Sequence, residues 1–144
     1  MKISKEGLEF IKENHLFRCI PYKNSKDEKY LSIGYGHYGK DVRRDMVVTA
    51  EEAEQLLEED LHRYEGRVAK YNVDYHFTQQ QFDALVSFAY DVGDIDELTN
   101  YGRRTIDQVA LIMPLYCKFC GSISKTIMLI RKKEKDIILK NKRS

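Results

Sequence analysis

The sequence predicts an α+β fold, mostly helical, in which a small β-hairpin region precedes a run of helices. Residues 17–48 are rich in β-formers (Phe17, Ile20, Tyr22, Tyr30, Leu31, Ile33, Tyr35) and are interrupted by Asn24, Ser25, Gly34, Gly36 and Gly39. Further on, a Thr is followed three residues later by Glu or Gln at Thr49 and Glu52, Thr78 and Gln81, and Thr105 and Gln108. That spacing lets side chain and backbone cap a helix start reciprocally. Apolar residues after these starts recur at helical intervals.

Taken in order, Ser4 can accept from the orphan amides of a first helix whose apolar face is Leu8, Phe10 and Ile11. This helix should end near Glu13, with Asn14 as a left-handed stop. After Thr49, the residues Ala53, Leu56, Leu57, Leu61, Tyr64 and Val68 mark one face of a long helix that could connect two lobes. Phe82, Leu85, Val86, Phe88 and Ala89 are apolar on most sides, as a buried central helix requires. A helix from about Ile106 to Phe119 contains Pro114, which should break it at a cost of about 3 kcal/mol. A last helix, from about Ser124 to Lys140, should turn Ile127, Met128, Ile130, Ile137 and Ile138 inward and its basic residues outward. No repeat or low-complexity linker appears, so residues 1–144 read as a single domain. Its parts are a β-hairpin lobe at about 14–48, a linking helix at about 49–70, and a helical lobe at about 71–144 with helix 1–13.

Composition excludes several function classes. Of 144 residues, 42% are hydrophobic and 33% charged, which fits neither disorder nor a membrane span. The first twenty residues carry Lys2, Lys5, Glu6, Glu9, Lys12 and Glu13, so no signal peptide is expected. Three cysteines, Cys19, Cys117 and Cys120, are an odd number and favour reduced thiols. Cys117 and Cys120 have metal-ligand spacing, but His37, His62 and His76 are isolated, and neither metal nor cofactor is expected. The net charge of +1 hides a division: residues 125–144 hold eight Lys and Arg against Glu134 and Asp136, a net +6, leaving −5 for the remainder. No aromatic residue is interleaved among these basic residues to stack on bases, so nucleic acid is not expected as a partner. A solvated helix face accounts for this run on its own; an anionic surface, such as a cell wall, is the partner it would attract.

Two stretches carry most of the specificity: Ser32–His37, which reads SIGYGH, and Phe82–Gly93, which reads FDALVSFAYDVG. At these residues the chain resembles the phage-type lysozymes, endolysin muramidases that cut the β-1,4 link between N-acetylmuramic acid and N-acetylglucosamine in peptidoglycan. The resemblance covers nearly the whole chain in order. It implies a lysozyme-like fold with a cleft between two lobes, hydrolysis without cofactor by an inverting displacement, action as a monomer on peptidoglycan glycan strands, and residence in the host bacterial cytoplasm until holin-type release.

Carried over position by position, the resemblance also exposes departures. The family commonly closes its first helix with Glu-Gly, seven residues before the hairpin's opening Tyr; with Tyr22 as that Tyr, these positions are His15 and Leu16. Glu13 is the nearest carboxylate, but two positions along a helix rotate it by about 200°. Many relatives place an Asp after the Tyr as base toward water, and this chain has Asn24, whose amide cannot take a proton. A subset instead has Glu in a longer loop, which Asp27 and Glu28 resemble, so Glu28 is the better candidate base and Asp27 the second. Ser32 keeps the hydroxyl of the family Thr that holds a water. Tyr22, Tyr35 and His37 are the candidate substrate-binding residues. In the last helix only Arg131 and Glu134 match the family positions, where they are usually structural.

Three readings of position 15 follow. His15 can be an imidazolium that donates to the glycosidic oxygen, a half-exposed helix-end residue with no role, or part of a site that binds glycan without cutting it. The function implied is therefore a muramidase with cleavage weakened or lost, and the alternative is a non-catalytic glycan-binding or purely structural protein.

Overall fold

Every predicted helix start is present in the computed structural model of the chain, which describes residues 1–142. The long helix α2 (Ala50–Ala69) begins where Glu52 N donates to Thr49 Oγ1 at 3.1 Å and Thr49 N donates to Glu52 Oε1 at 3.0 Å. The same reciprocal pair opens the central helix α4 (Gln79–Val92) at Thr78 and Gln81, and α6 (Ile106–Ile112) at Thr105 and Gln108. These boxes satisfy amides that would otherwise lose a partner at each helix end.

The first helix, α1 (Lys5–Asn14), is capped as expected: Ser4 Oγ accepts from Gly7 N at 3.0 Å. Asp83 on α4 fixes this start, accepting from Ser4 N at 3.0 Å and from the Ser4 hydroxyl. The approach is so close that a Cβ on Gly7 would lie 2.5 Å from Asp83 Cγ, which is why only glycine fits there. The helix end differs from expectation. Among the described residues the non-glycine positive-φ positions are His76, Asn100, Tyr101 and Cys120, so neither Asn14 nor Leu16 is a left-handed stop. Instead Asn14 Nδ2 donates to Phe10 O at 2.8 Å, and His15 Nδ1 lies 2.8 Å from Ile11 O. Side chains take up the last carbonyls, and no reversal of φ is needed.

Packing divides the chain into two units. One is Glu9–His62. It contains β1 (Arg18–Tyr22), β2 (Leu31–Gly34) and β3 (His37–Gly39) as an antiparallel sheet in that order. Its core is Ile33, Val42, Val48 and Ala53, with Phe17, Leu31, Tyr35, Met46 and Leu56 packed around them.

The other unit is Met1–Leu8 together with the chain from Arg63 onward. Short helices α3 (Asn72–Tyr75) and α5 (Asp96–Thr99) flank α4, which is buried continuously from Gln81 to Ala89. α4 packs against the last helix α7 (Lys125–Lys140), which also contacts α6. Pro114 ends α6 as expected, in a 3₁₀ turn at Met113–Leu115. The chain does not resume a helix up to Phe119, however: β4 (Lys118–Phe119) and β5 (Ser122–Ile123) form a hairpin. Its turn residues Cys120 and Gly121 have φ of 52° and 83°, a left-handed pair that matches the twist of a tight hairpin.

Arg131 corrects a second expectation. The basic residues of this helix are expected outward, yet Arg131 is fully buried, with its Nε 2.8 Å from Glu134 Oε1, an Nη2 contact to Asp91, and its guanidinium 5.1 Å from the Phe88 ring centroid, as befits the structural role that the resemblance implies for it and Glu134. Ile130 and Ile138 are buried beside it, while Ile127, Met128 and Ile137 are only partly covered. Glu134 is fully buried too, and burial pushes its carboxyl up to about 8 against the opposing charge of Arg131. Ser87 Oγ donates to Glu134 Oε2 at 2.6 Å. Arg143, counted in the basic tail, lies outside the described residues. Removing one partner of a buried ion pair strands the other, so Arg131→Ala should lower stability by about 3–5 kcal/mol in chemical denaturation, whereas the exposed Lys132→Ala should change it by less than about 0.5 kcal/mol.

Candidate active site

All eight residues singled out from the sequence fall in the Glu9–His62 unit, on the end of α1, on the sheet and in the loop between β1 and β2. The strand register sets their order: Tyr22 pairs with Ser32, Ser32 with Tyr38, and Ile33 with His37. β1 carries an irregularity between Arg18 and Tyr22, which delivers Tyr22 opposite Ser32. Ser32 is only 2% exposed, so its hydroxyl sits within the sheet and not on an open surface.

The loop 23–30 is held by Glu28. Its Oε1 accepts from Asn24 N at 2.7 Å and from Ser25 N at 3.3 Å, while its own amide donates to Ser25 O at 3.2 Å. Asn24 and Asp27 are exposed. Tyr22 is half-buried beneath Arg18, whose guanidinium carbon is 4.6 Å from the ring centroid. Burial raises the Tyr22 phenol above its usual range, Arg18 opposes this, and the Glu28 carboxylate adds to it. Glu28, Tyr22 and Ser32 are thus brought into one neighbourhood.

Tyr35 lies between Gly34 (φ 69°) and Gly36 (φ 96°), which turn β2 into β3. Its ring packs on Phe17 at 5.4 Å, and Lys12 Nζ is 5.6 Å from its centroid. Lys12 Nζ is also 2.7 Å from Glu54 Oε1 and 3.2 Å from Glu9 Oε1, and the Glu54 bond chiefly holds the amine charged. This network fixes the last turn of α1 against the sheet, and His15 follows three residues later. A carbonyl can only accept, so the contact to Ile11 O places a proton on His15 Nδ1.

His37 is engaged on both nitrogens: Nδ1 lies 2.8 Å from Asp60 Oδ2 and Nε2 lies 2.9 Å from Asp41 Oδ2. Its ring therefore ties β3 to α2, and any influence on a ligand passes through the turn it holds. The bond to Asp60 raises its pKa to about 9 despite an opposing effect of burial, with Asp41 contributing further. Sequence reasoning misses Lys12, Glu54 and Asp60, and it offers Asp41 as one of the hairpin carboxylates without its role as a partner of His37. Asp41 had a signal, four residues after the histidine of SIGYGH; Asp60 is 23 positions away and had none. Among the described residues no group of three or more His, Cys, Asp and Glu side chains is placed to hold a metal ion.

The mostly helical α+β architecture with a small three-stranded antiparallel sheet is that of the lysozyme-like folds, and comparison with known proteins agrees. The muramidase domain of SpmX from Asticaccaulis excentricus superposes with a TM-score of 0.77 at 31% identity, over 96% of this chain and 97% of that one. The endolysin of Bacillus phage PZA is 37% identical over 141 residues, 93% of this chain and 54% of that protein. The endolysin of Bacillus phage B103 is 49% identical over 94 residues, 65% of this chain and 35% of that protein. The chain thus spans about half or less of the length of these curated relatives. The phage lysozyme family profile matches residues 12–134, and the chain belongs to that family.

The His37 clamp has a pH signature. Because its folded pKa of about 9 exceeds the ordinary 6.5, the stability it contributes is complete below 6.5 and is lost as pH rises through about 9. The stability gap between the parent and Asp60→Asn should be largest near about pH 6 and close above about pH 9. Nuclear magnetic resonance titration of the His37 ring should show the midpoint falling toward 6.5 in the variant; a gap that does not change with pH would show that the clamp is not charge-based.

Proposed function

We propose that the chain is a muramidase-type domain that engages β-1,4-linked N-acetylmuramic acid–N-acetylglucosamine strands of peptidoglycan and whose cleavage step is crippled at position 15. The observation that supports this reading is the end of α1, where His15, the residue that the sequence resemblance aligns with the family's Glu, keeps its Nδ1 on Ile11 O. For His15 to act as general acid the ring must take up its second proton, at Nε2, and become a cation, whereas a carboxyl at that place would donate as a neutral acid.

The remaining parts of the site support glycan engagement. Tyr22 and Tyr35 are the substrate-binding candidates of this reading, the first ring covered by Arg18 and the second packed on Phe17, and His37 holds the turn that carries Tyr35. Glu28 is the base toward water, with Oε1 occupied by the loop amides and its other oxygen available to the proton. Asp27, exposed on the same loop, is the second candidate base, Asn24 takes the place of the acid found in many relatives, and Ser32, the water-holding candidate of the resemblance, is buried within the sheet. The domain acts as a monomer on the wall after holin-type release from the host cytoplasm, and the exposed lysines of α7 add a non-specific attraction for anionic wall polymers. No helix among the described residues is long and apolar enough to cross a membrane.

Clearing of a peptidoglycan suspension, with reducing ends counted, tests this reading. The parent should cut slowly or not at all, and His15→Glu should raise the rate by roughly 10²- to 10⁴-fold. Adding Glu28→Gln to that variant should remove most of the gain. A parent that already clears walls at a rate typical of lysozymes would overturn the assignment of His15 as the lesion. If neither form cuts but both bind soluble glycan oligomers, the non-catalytic binding role replaces it.

A further inference from the structure

The register of the β1–β2–β3 sheet sorts its side chains onto two faces, because residues paired across antiparallel strands point to the same side. Ile33 and His37 are such a pair, and they point toward α2, where Ile33 packs with Ala53 and His37 meets Asp60. Ser32 pairs with both Tyr22 and Tyr38, one position further along, so these three side chains share the face turned away from α2. Arg18 lies on that face as well, since its guanidinium carbon is 4.6 Å from the Tyr22 ring centroid.

Two of these side chains keep chemistry that the fold does not use. Tyr38 is 43% exposed, yet its hydroxyl accepts from Tyr30 N at 3.2 Å and its ring lies 5.7 Å from that of Tyr30, so an aromatic surface is held in a fixed place facing water. Arg18 is exposed and rests on Tyr22 by the ring face, and no carboxylate among the described residues takes its N–H edge. Between Tyr22 and Tyr38 lies Ser32, only 2% exposed, and the outer strands of the row are two strand spacings, or about 10 Å, apart. The row is a floor with a fixed ring on one side and a guanidinium on the other.

A saccharide that bears a carboxylate uses both. The negative face of an aromatic ring attracts the C–H face of a sugar, and a guanidinium takes a carboxylate through two parallel N–H donors. A neutral glycan would use Tyr38 alone, and a small anion Arg18 alone. Resting on the muramidase reading, we infer that this sheet face is the subsite for the acidic sugar of the strand, with Tyr38 stacked on a sugar ring and Arg18 paired with the carboxylate on the arm of N-acetylmuramic acid. That carboxylate is either the free lactyl group or the first acid of an attached peptide. A disaccharide laid across the strands spans the distance between the two side chains.

Nuclear magnetic resonance titrations of the full chain with tetrasaccharides test this. At low salt the parent should bind the alternating N-acetylglucosamine–N-acetylmuramic acid tetrasaccharide roughly tenfold more tightly than its neutral lactyl methylamide. Arg18→Gln should abolish that difference and leave the affinity for the N-acetylglucosamine tetramer unchanged. Tyr38→Ala should weaken binding of all three ligands by roughly tenfold, and Tyr38→Phe, which keeps the ring, should restore it. An oligomer with L-alanyl-D-glutamate on its lactyl groups separates the two sources: if Arg18→Gln weakens that ligand alone, the peptide acid is the one read. Arg18 and Tyr38 are exposed, so Arg18→Gln and Tyr38→Phe should melt with the parent. The inference falls, and the muramidase reading stands, if the parent binds charged and neutral oligomers equally, if Arg18→Gln weakens both alike, or if Tyr38→Ala has no effect. A parent that binds none of the oligomers overturns both.

Discussion

An imidazolium held between two carboxylates governs the sheet unit. β3 is three residues long, too short to fix its own register through ladder bonds. His37 at its start is joined to Asp60 on α2 and to Asp41 just past the strand, so the strand is positioned by a helix as well as by its neighbour. With Ile33 opposite His37, the clamp holds the pairing of β3 on β2, whose Ser32 and Ile33 are both buried. The pairing of Tyr22 with Ser32, and hence the setting of the loop that Glu28 closes, inherits that register. A handful of residues around position 37 thus determines where the candidate chemistry can lie.

The features legible in the sequence are those whose physics is local. A capping box involves residues three apart and operates wherever the helix later packs, so Thr49, Thr78 and Thr105 announced their helices without any tertiary information. The apolar run of α4 was equally plain. Periodicity failed at Arg131, because a charged residue on a helix is assigned outward unless its partner is known, and Asp91 lies 40 positions away. The end of α1 failed for a different reason. An Asn at a helix end suggests a backbone that adopts positive φ, while the chain solves the same problem with side-chain donors at Asn14 and His15. In the hairpin, Pro114 explained the break in the helix so well that the Cys120-Gly121 turn behind it went unread.

The candidate site divides along the same line. Its residues were found by position in the sequence, and the fold brings Glu28, Tyr22 and Ser32 together and sets Tyr35 beside Lys12. What holds them could not be found that way. Lys12 is bound to Glu54 across 42 positions, and His37 to Asp60 across 23, so each support depends on how α2 packs against the sheet. Reactive groups cluster in short loops and strand ends, whereas the groups that orient them come from whichever helix is adjacent, and adjacency is a property of the fold.

In the proposed reading, a histidine at position 15 bears on more than the supply of a proton. A helix C-terminus carries partial negative charge, which favours the protonated form of either an imidazole or a carboxyl placed there. The two acids nevertheless differ in charge. A protonated carboxyl is neutral before transfer and anionic afterward, so it becomes more stabilising as the sugar ring takes on oxocarbenium character. A doubly protonated imidazole is cationic before transfer and at best neutral afterward. It sets like charge beside the developing cation at the moment of bond breaking, where a water-excluded site amplifies the repulsion. Even a correctly placed and fully protonated His15 would therefore oppose part of the barrier reduction it offers. In the proposed reading the proton held by Ile11 O preserves the helix end and does nothing for this conflict, which is why the sheet and its supports can persist intact around a site that cuts poorly.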